Sequence, residues 1–237
     1  MNAEIRLAKR VAQELGCSRR QAEQYIEGGW ISVDGAIVEE PAARVAPEQR
    51  LRLDPAAVAE DVPPASLLLH KPQGADLAPA DAMAAFLAPQ NRADASGSGM
   101  RVLRKHLHNQ QIVAPLPSAV GGLVVVSQDW RISRRLIDDR QRIEQEFHVE
   151  VARDVSPELL AQMQRMAAAR HALMKISRQS EKRLRFAIKG VEALAIMEIC
   201  AAAGLPATRI TRMRIGRVSL AGLQPGQWRY LRSDEWF

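Results

Sequence analysis

Two consecutive arginines, Arg19 and Arg20, follow Ser18 at a point where the sequence predicts the start of a helix. Ser18 and Gln21 have the spacing of a capping box, in which the serine side chain caps the helix. The helix dipole disfavours cations in the first turn, so this pair indicates that an anion shares the site. Backbone amides and guanidinium groups could together hold a phosphate. The alternative is an ordinary solvated face of a small basic domain.

The preceding helix extends this predicted phosphate site. Apolar residues recur at helical spacing over residues 5–15, and Gly16 follows as a stop. Arg6, Lys9 and Arg10 lie on this helix and enlarge the basic patch. The formal net charge of +6 and the pI of about 9.8 agree with a polyanionic partner. Nucleic acid is favoured over a membrane surface, because no strongly basic amphipathic helix is evident.

Other chemistry has little support in the sequence. Cys17 and Cys200 are far apart, and His106 and His108 lack further ligands nearby, so we expect neither a metal site nor a disulfide. We expect no organic cofactor. No apolar run approaches the ~18 residues of a membrane span. The opening residues, MNAEIRLAKR, do not have the pattern of a signal peptide, and we expect a soluble, cytoplasmic protein.

The chain divides into two predicted domains. Residues 1–54 combine two helices with short antiparallel strands, including a tight hairpin at Asp34-Gly35. A Pro/Ala-rich linker is predicted over 55–65, and a larger domain over 66–237. A weakly ordered stretch at 94–99 is predicted to be an exposed loop.

The larger domain alternates strand and helix patterns in hairpin-like succession, which favours an α+β fold with a mostly antiparallel sheet flanked by helices. Its predicted strands cover 67–74, 123–127, 146–152, 184–190, 208–220 and 226–231, and its predicted helices cover 131–137, a segment starting at Ser156, and 192–204.

The run 18–38 resembles the S-four-type RNA-binding domain, first known from a ribosomal protein. The resemblance implies that Arg19 and Arg20 contact RNA. The matching positions, with Asp34 as an accepted variant, are Ser18, Arg19, Arg20, Ala22, Ile26, Gly29, Val33 and Gly35.

Most of the chain resembles the RsuA/RluF family of pseudouridine synthases, which carries the same small domain ahead of its catalytic one. Four segments carry the resemblance: 71–74, 113–130, 145–151 and 212–231. The resemblance implies isomerisation of uridine in RNA without metal or organic cofactor, on a nucleotide that has left the base stack. In this family an aspartate starts the cleavage of the glycosidic bond, and an arginine two residues earlier supports it.

The family motif G-R-L-D falls on residues 114–117, Ala-Pro-Leu-Pro, with the register fixed by matches downstream from Gly122 to Asp129. The nucleophile position is therefore Pro117 and its arginine partner position is Pro115. A proline ring has no carboxylate to offer. The base-stacking tyrosine of the family is Phe147 here, and a basic family stretch is apolar around 190–199. We therefore expect no catalytic residue in this site.

These observations predict an RNA-binding protein on a synthase scaffold that has lost catalysis, acting on ribosomal or other structured RNA as a monomer. A groove in the second domain is predicted to contact RNA through Arg131, Arg134, Arg135, Arg212 and Arg214. Two alternatives remain open. One is an active synthase with a displaced nucleophile such as Asp129, with Asp138 and Asp139 better explained by ion pairing. The other is a protein-interaction module.

Overall fold

The computed structural model describes residues 4–93 and 101–237, so the predicted loop at 94–99 lies outside the described residues. The described chain forms two compact units. The first contains residues 4–64 together with 101–108, and the second contains 65–93 together with 109–237. The sequence predicted one domain over 1–54 and another over 66–237, and it did not predict that residues 101–108 group with the first unit. Residues 55–64, predicted as a linker, also group with the first unit.

The first unit is built from short helices and strands around one small core. Leu7, Ala22, Ile26 and Ile31 are fully or almost fully buried there. Its elements are β1 (Ile5–Arg6), α1 (Leu7–Leu15), α2 (Arg19–Glu27), β2 (Ile31–Val33), β3 (Ala36–Ile37), β4 (Arg44–Val45), β5 (Leu51–Leu53) and, after the second unit has begun, α4 (Arg104–Leu107).

Local signals in the first unit act as the sequence predicted. Gly16 ends α1 in the left-handed conformation, with φ 62°. Ser18 caps α2, and its capping box with Gln21 is complete. Asp34 and Gly35 have φ 50° and 87°, which closes the hairpin between β2 and β3. Each signal is a backbone requirement that few residue types meet, so it is legible in the sequence.

The second unit contains a nine-stranded sheet with helices between its strands. Its elements are β6 (Ser66–Lys71), α3 (Ala80–Phe86), a 3-10 helix (Pro89–Asn91), β7 (Gln111–Ile112), β8 (Gly121–Ser127), α5 (Trp130–Asp138), β9 (Glu144–Val151), α6 (Pro157–Arg170), β10 (Met174–Ser180), β11 (Arg183–Lys189), α7 (Leu194–Ala202), β12 (Ala207–Ile215), β13 (Val218–Ser219) and β14 (Trp228–Tyr230).

The sheet order is β10-β11-β9-β12-β8-β6-β14, with β13 paired to β12 and β7 paired to β8. Only the pairing of β8 with β12 is parallel among the described strands. The predicted α+β fold with a mostly antiparallel sheet is therefore confirmed. Residues of α6 and α7 share one buried core with the inward side chains of β9, β10 and β11. In the described parts of the chain, no helix has both the length and the apolar character needed to span a bilayer.

Candidate functional site

The basic residues at the start of the first unit surround a concave surface. Arg6, Lys9 and Arg19 line a cavity of about 560 Å³. Arg44 lines the same cavity, because β1 pairs with β4 in a register that places Arg44 opposite Arg6. Sequence reasoning missed Arg44, since a two-residue strand has no alternating pattern to detect. We call this surface, formed by Arg6, Lys9, Arg19 and Arg44, the basic cavity.

The basic cavity has an excess of positive charge. Glu4 is the one acidic residue among the described side chains that line it. Arg19 also meets Glu23 outside the cavity at 3.0 Å, but both side chains are exposed. Exposed pairs of this kind contribute about 0.3–0.5 kcal/mol, so an incoming phosphate can compete for the guanidinium group.

Three other residues of the predicted phosphate site have structural roles. Arg10 is only 12% exposed, and its guanidinium donates to the carbonyls of Ala46 and Gln49. The Ser18 hydroxyl accepts the backbone N–H of Gln21, as a helix cap does. Arg20 pairs with Asp61 at 2.9 Å and does not line the basic cavity. The structure therefore separates these residues from Arg6, Lys9 and Arg19, in contrast to the single patch predicted from sequence.

The loop before β8 is held by a buried lysine. The ammonium group of Lys71 donates to the carbonyls of Val120 at 2.7 Å, Pro117 at 3.1 Å, Ser118 at 3.3 Å and Pro72 at 3.4 Å. Lys71 is 1% exposed, and burial lowers its pKa. Pro117, which occupies the nucleophile position implied by the resemblance, thus contributes a carbonyl oxygen to a lysine clamp.

Beside this loop is a small cavity of about 180 Å³, which we call the loop cavity. Pro115 lines it together with Arg140, Gln145, Glu192 and Arg212. Glu192 supplies the one carboxylate among the described lining residues. Its side chain is 76% exposed and pairs with Arg140 at 3.2 Å, which places it at the rim.

Phe147, at the base-stacking position implied by the resemblance, is completely buried. It belongs to the core that also contains Val120, Phe186, Ile196 and Ile199. Ile196 and Ile199 lie on α7, within the stretch where the sequence had lost the basic residues of the family. Apolar side chains therefore surround the ring, and a nucleobase could reach its face only after this packing opens.

Arg212 supports the backbone around the loop cavity. It is 2% exposed, and its guanidinium donates to Leu123 O at 2.7 Å, Gln145 Oε1 at 3.0 Å and Ala114 O at 2.5 Å. Burial lowers its pKa to about 9, so it stays charged at neutral pH. Arg212 was predicted to line an RNA-facing groove, but in the structure its side chain is buried and donates its hydrogen bonds to other atoms of the protein. Arg214 is engaged by two glutamates of β9.

Comparison with known proteins agrees with this architecture. The S4 domain model matches residues 5–51. The ribosomal small subunit pseudouridine synthase A of Escherichia coli K12 is 27% identical over 239 residues, covering 98% of this chain and 98% of that protein. An uncharacterized RNA pseudouridine synthase of Aquifex aeolicus is 22% identical, covering 98% and 94%. A crystal structure of a pseudouridylate synthase superposes with a TM-score of 0.56 at 20% identity, covering 96% of each chain.

The chain is similar over almost its whole length to RsuA-type pseudouridine synthases, and residues 5–51 match the S4 domain. The S4 domain supplies the core and the basic cavity of the first unit. The second unit has the synthase fold, and its loop cavity lies between the loop before β8 and the segment before α7.

The arginines of α5 are exposed, and each has an acidic partner on or next to the same helix. These i,i+4 and capping contacts are the arrangement expected of solvated helix faces. Asp129 caps α5 and is held by Arg131, whose hydrogen bond lowers the pKa of that carboxyl. The pairs are Arg131 with Asp129, Arg134 with Asp138, and Arg135 with Asp139.

In the part of the chain that the structure describes, no group of three His, Cys, Asp or Glu side chains converges. His106 is buried in the first unit. His108 is exposed and accepts a hydrogen bond from Arg104 at 3.2 Å. The two histidines thus have different environments and do not act as a pair.

Proposed function

We propose that this protein binds RNA through the basic cavity of its S4 domain and does not isomerise uridine. The observation that carries the second half is the position of Pro117, whose carbonyl is held by Lys71 where the family resemblance places a carboxylate. The E. coli relative is named for the small ribosomal subunit, so ribosomal RNA is the proposed ligand. We further propose that the protein acts in the cytoplasm as a monomer.

The basic cavity supports RNA binding through phosphates. Its four cationic side chains line a concave surface with a volume of about 560 Å³, and its lining includes no aromatic ring among the described residues. Phosphate contacts position RNA without reading its sequence, and each one releases condensed counterions. We therefore expect binding that weakens steeply with salt and depends on RNA shape.

The double variant Arg19→Ala with Arg44→Ala tests this interface. RNA affinity, measured at several salt concentrations on a ribosomal RNA fragment, should fall, and the salt slope should decrease by about 0.7–0.9 for each phosphate that the variant no longer neutralises. Arg165→Ala removes an exposed arginine from α6 and serves as the matched control. An unchanged slope in the double variant, with its fold intact by circular dichroism, would exclude the basic cavity as the RNA site.

The proposed absence of catalysis is tested directly. The purified protein is incubated with ribosomal RNA transcripts, which are then treated with carbodiimide and read by primer extension. We expect no pseudouridine stops above those of untreated transcripts, while an active synthase relative run in parallel produces them. A reproducible stop that requires the protein would overturn this half of the proposal.

A second candidate function is an active synthase that uses Glu192 as a relocated acid. The observation in its favour is that Glu192 lines the loop cavity and pairs with Arg140 at 3.2 Å. It predicts stops that disappear in Glu192→Gln and persist in Glu198→Gln, an exposed glutamate of α7 that does not line this cavity. Asp129 is a weaker choice, because its carboxylate is already committed to capping α5.

A further inference from the structure

A larger cavity, of about 500 Å³, opens on the sheet face opposite the core of α6 and α7. Successive residues of a strand point to opposite faces. Phe147 and Val149 of β9 face that core, so the neighbouring His148 and Glu150 face the other side. Both of these residues line the larger cavity, which we call the far-face cavity. It belongs to a different surface from the loop cavity.

Two arginines flank one carboxylate at the edge of the far-face cavity. Arg183 on β11 and Arg209 on β12 are both the register partners of Glu150 on β9. The Arg183 guanidinium forms an ion pair with the Glu150 carboxylate, with 3.2 Å between Nη2 and Oε1. Arg209 is exposed and has no ion pair with any residue that the structure describes. One guanidinium at the cavity is therefore available to an external anion.

The rest of the lining suits the organic part of a nucleotide. Leu220, Leu223 and Pro225 provide an apolar wall, and Thr211 provides a hydroxyl group. His70 adds a polar ring whose Nδ1 must donate to Leu223 O, at 2.8 Å, because a carbonyl only accepts. In the neutral form of the ring, the other nitrogen is then an acceptor. The volume lies within the roughly 300–1,000 Å³ typical of small-molecule sites.

We propose that the far-face cavity binds a nucleoside monophosphate group, with Arg209 holding the phosphate and the apolar wall contacting the base or ribose. The group has two possible sources, a free nucleotide or one nucleotide of a single-stranded RNA. This site goes beyond the proposed function, since it shares no residue with the basic cavity.

The test titrates the full-length protein by calorimetry with uridine 5′-monophosphate, uridine, inorganic phosphate and a short oligouridylate. Uridine 5′-monophosphate or the oligouridylate should bind, and uridine should bind more weakly. Arg209→Gln should weaken that binding by roughly tenfold, because a charge-assisted hydrogen bond to phosphate is lost. Arg165→Gln, outside this cavity, should bind as the wild type does.

Each outcome decides the proposal. Binding of the mononucleotide assigns the site to free nucleotides, whereas binding of the oligouridylate alone, sensitive to Arg209→Gln, assigns it to an RNA strand. The proposal is overturned if neither the mononucleotide nor the oligouridylate binds. It is also overturned if uridine binds as tightly as its monophosphate, or if Arg165→Gln weakens binding as much as Arg209→Gln does. The Arg19→Ala/Arg44→Ala variant separates the two sites, because it should lose ribosomal RNA binding and keep binding at the far-face cavity.

Discussion

Gly122 lies where β8 pairs with β12, and the two backbones approach each other closely there. It has φ 108°, a conformation that L side chains rarely adopt. A Cβ atom at this position would overlap the backbone N and O of Arg212 on β12. The parallel pairing of β8 and β12, and with it the buried position of Arg212, therefore depends on a residue without a side chain.

We predict that Gly122→Ala destabilises the protein by about 3 kcal/mol or more, because backbone strain and steric overlap add. Urea unfolding followed by circular dichroism measures the change. Gly222→Ala is the matched control, since Gly222 also has a positive φ, of 83°, but a Cβ there meets no atom within 4 Å. It should cost only about 1 kcal/mol. Equal losses in the two variants would refute the close-approach argument.

For single residues, the sequence shows which chemistry a position lacks more reliably than which contacts its side chain makes. The absence of a carboxylate at Pro117 is legible, because chemistry follows from residue type. The burial of Arg212 and the clamp formed by Lys71 are not legible, because both depend on carbonyls from distant segments. A basic residue next to a strand looks the same in sequence whether it faces RNA or the interior.

A carboxylate on β9 forms ion pairs with arginines of both neighbouring strands, β11 and β12. Glu146 accepts from Arg185 of β11 at 2.6 Å and from Arg214 of β12 at 3.1 Å. The hydrogen bond from Arg185, with a further one from Arg214, lowers the pKa of Glu146 from 4.5 to about 2. The carboxylate thus ties together neighbouring strands on the sheet face that also bears the far-face cavity.

The depressed pKa sets the pH range of this contribution. The unfolded state binds the proton more readily, so ionised Glu146 stabilises the fold fully above pH 4.5, and this is lost as pH falls towards 2. We predict that Glu146→Gln costs about 1–2 kcal/mol at pH 7, because two partly buried arginines lose their charged acceptor. The difference from wild type should shrink between pH 4.5 and 2.

Urea unfolding of the wild type and Glu146→Gln at pH 7, 4 and 3 measures this convergence. Glu150→Gln is the control on the same strand, because Glu150 makes one exposed pair with Arg183. It should cost less than 1 kcal/mol. A gap for Glu146→Gln that stays constant with pH would show that its charge does not cause the loss.

Helices and strands could be predicted from the sequence where a local signal, such as a helix cap, determines where they begin or end. The Ser156 cap and Pro157 mark the start of α6, and the observed helix begins there. By contrast, β10 was missed because only Met174 and Ile176 alternate into the core, and its other residues are exposed. The predicted strand 208–220 is two strands, since Gly216, with φ 56°, turns the chain between β12 and β13.

The whole molecule is divided in a way that the linear sequence does not reveal. Residues 101–108 follow the first strand of the second unit, yet they pack on the first unit. Leu103 is buried there, Arg101 lies over the ring of Trp30 with 5.6 Å to its centre, and Lys105 pairs with Glu27 at 2.6 Å. Short periodic signals locate elements, but no local pattern indicates that a segment returns to an earlier domain.

This return makes the stability of the first unit depend on a distant segment. We predict that Leu103→Ala destabilises the first unit by about 2 kcal/mol, as truncation of a buried leucine does. Hydrogen exchange read by mass spectrometry on the full chain should show faster exchange in α1 and α2, with β8 and β9 unchanged. Leu173→Ala, which truncates a half-exposed leucine in the second unit, should leave all four elements as in the wild type. Unaltered exchange in α1 and α2 of Leu103→Ala would mean that residues 101–108 rest on the first unit without stabilising it.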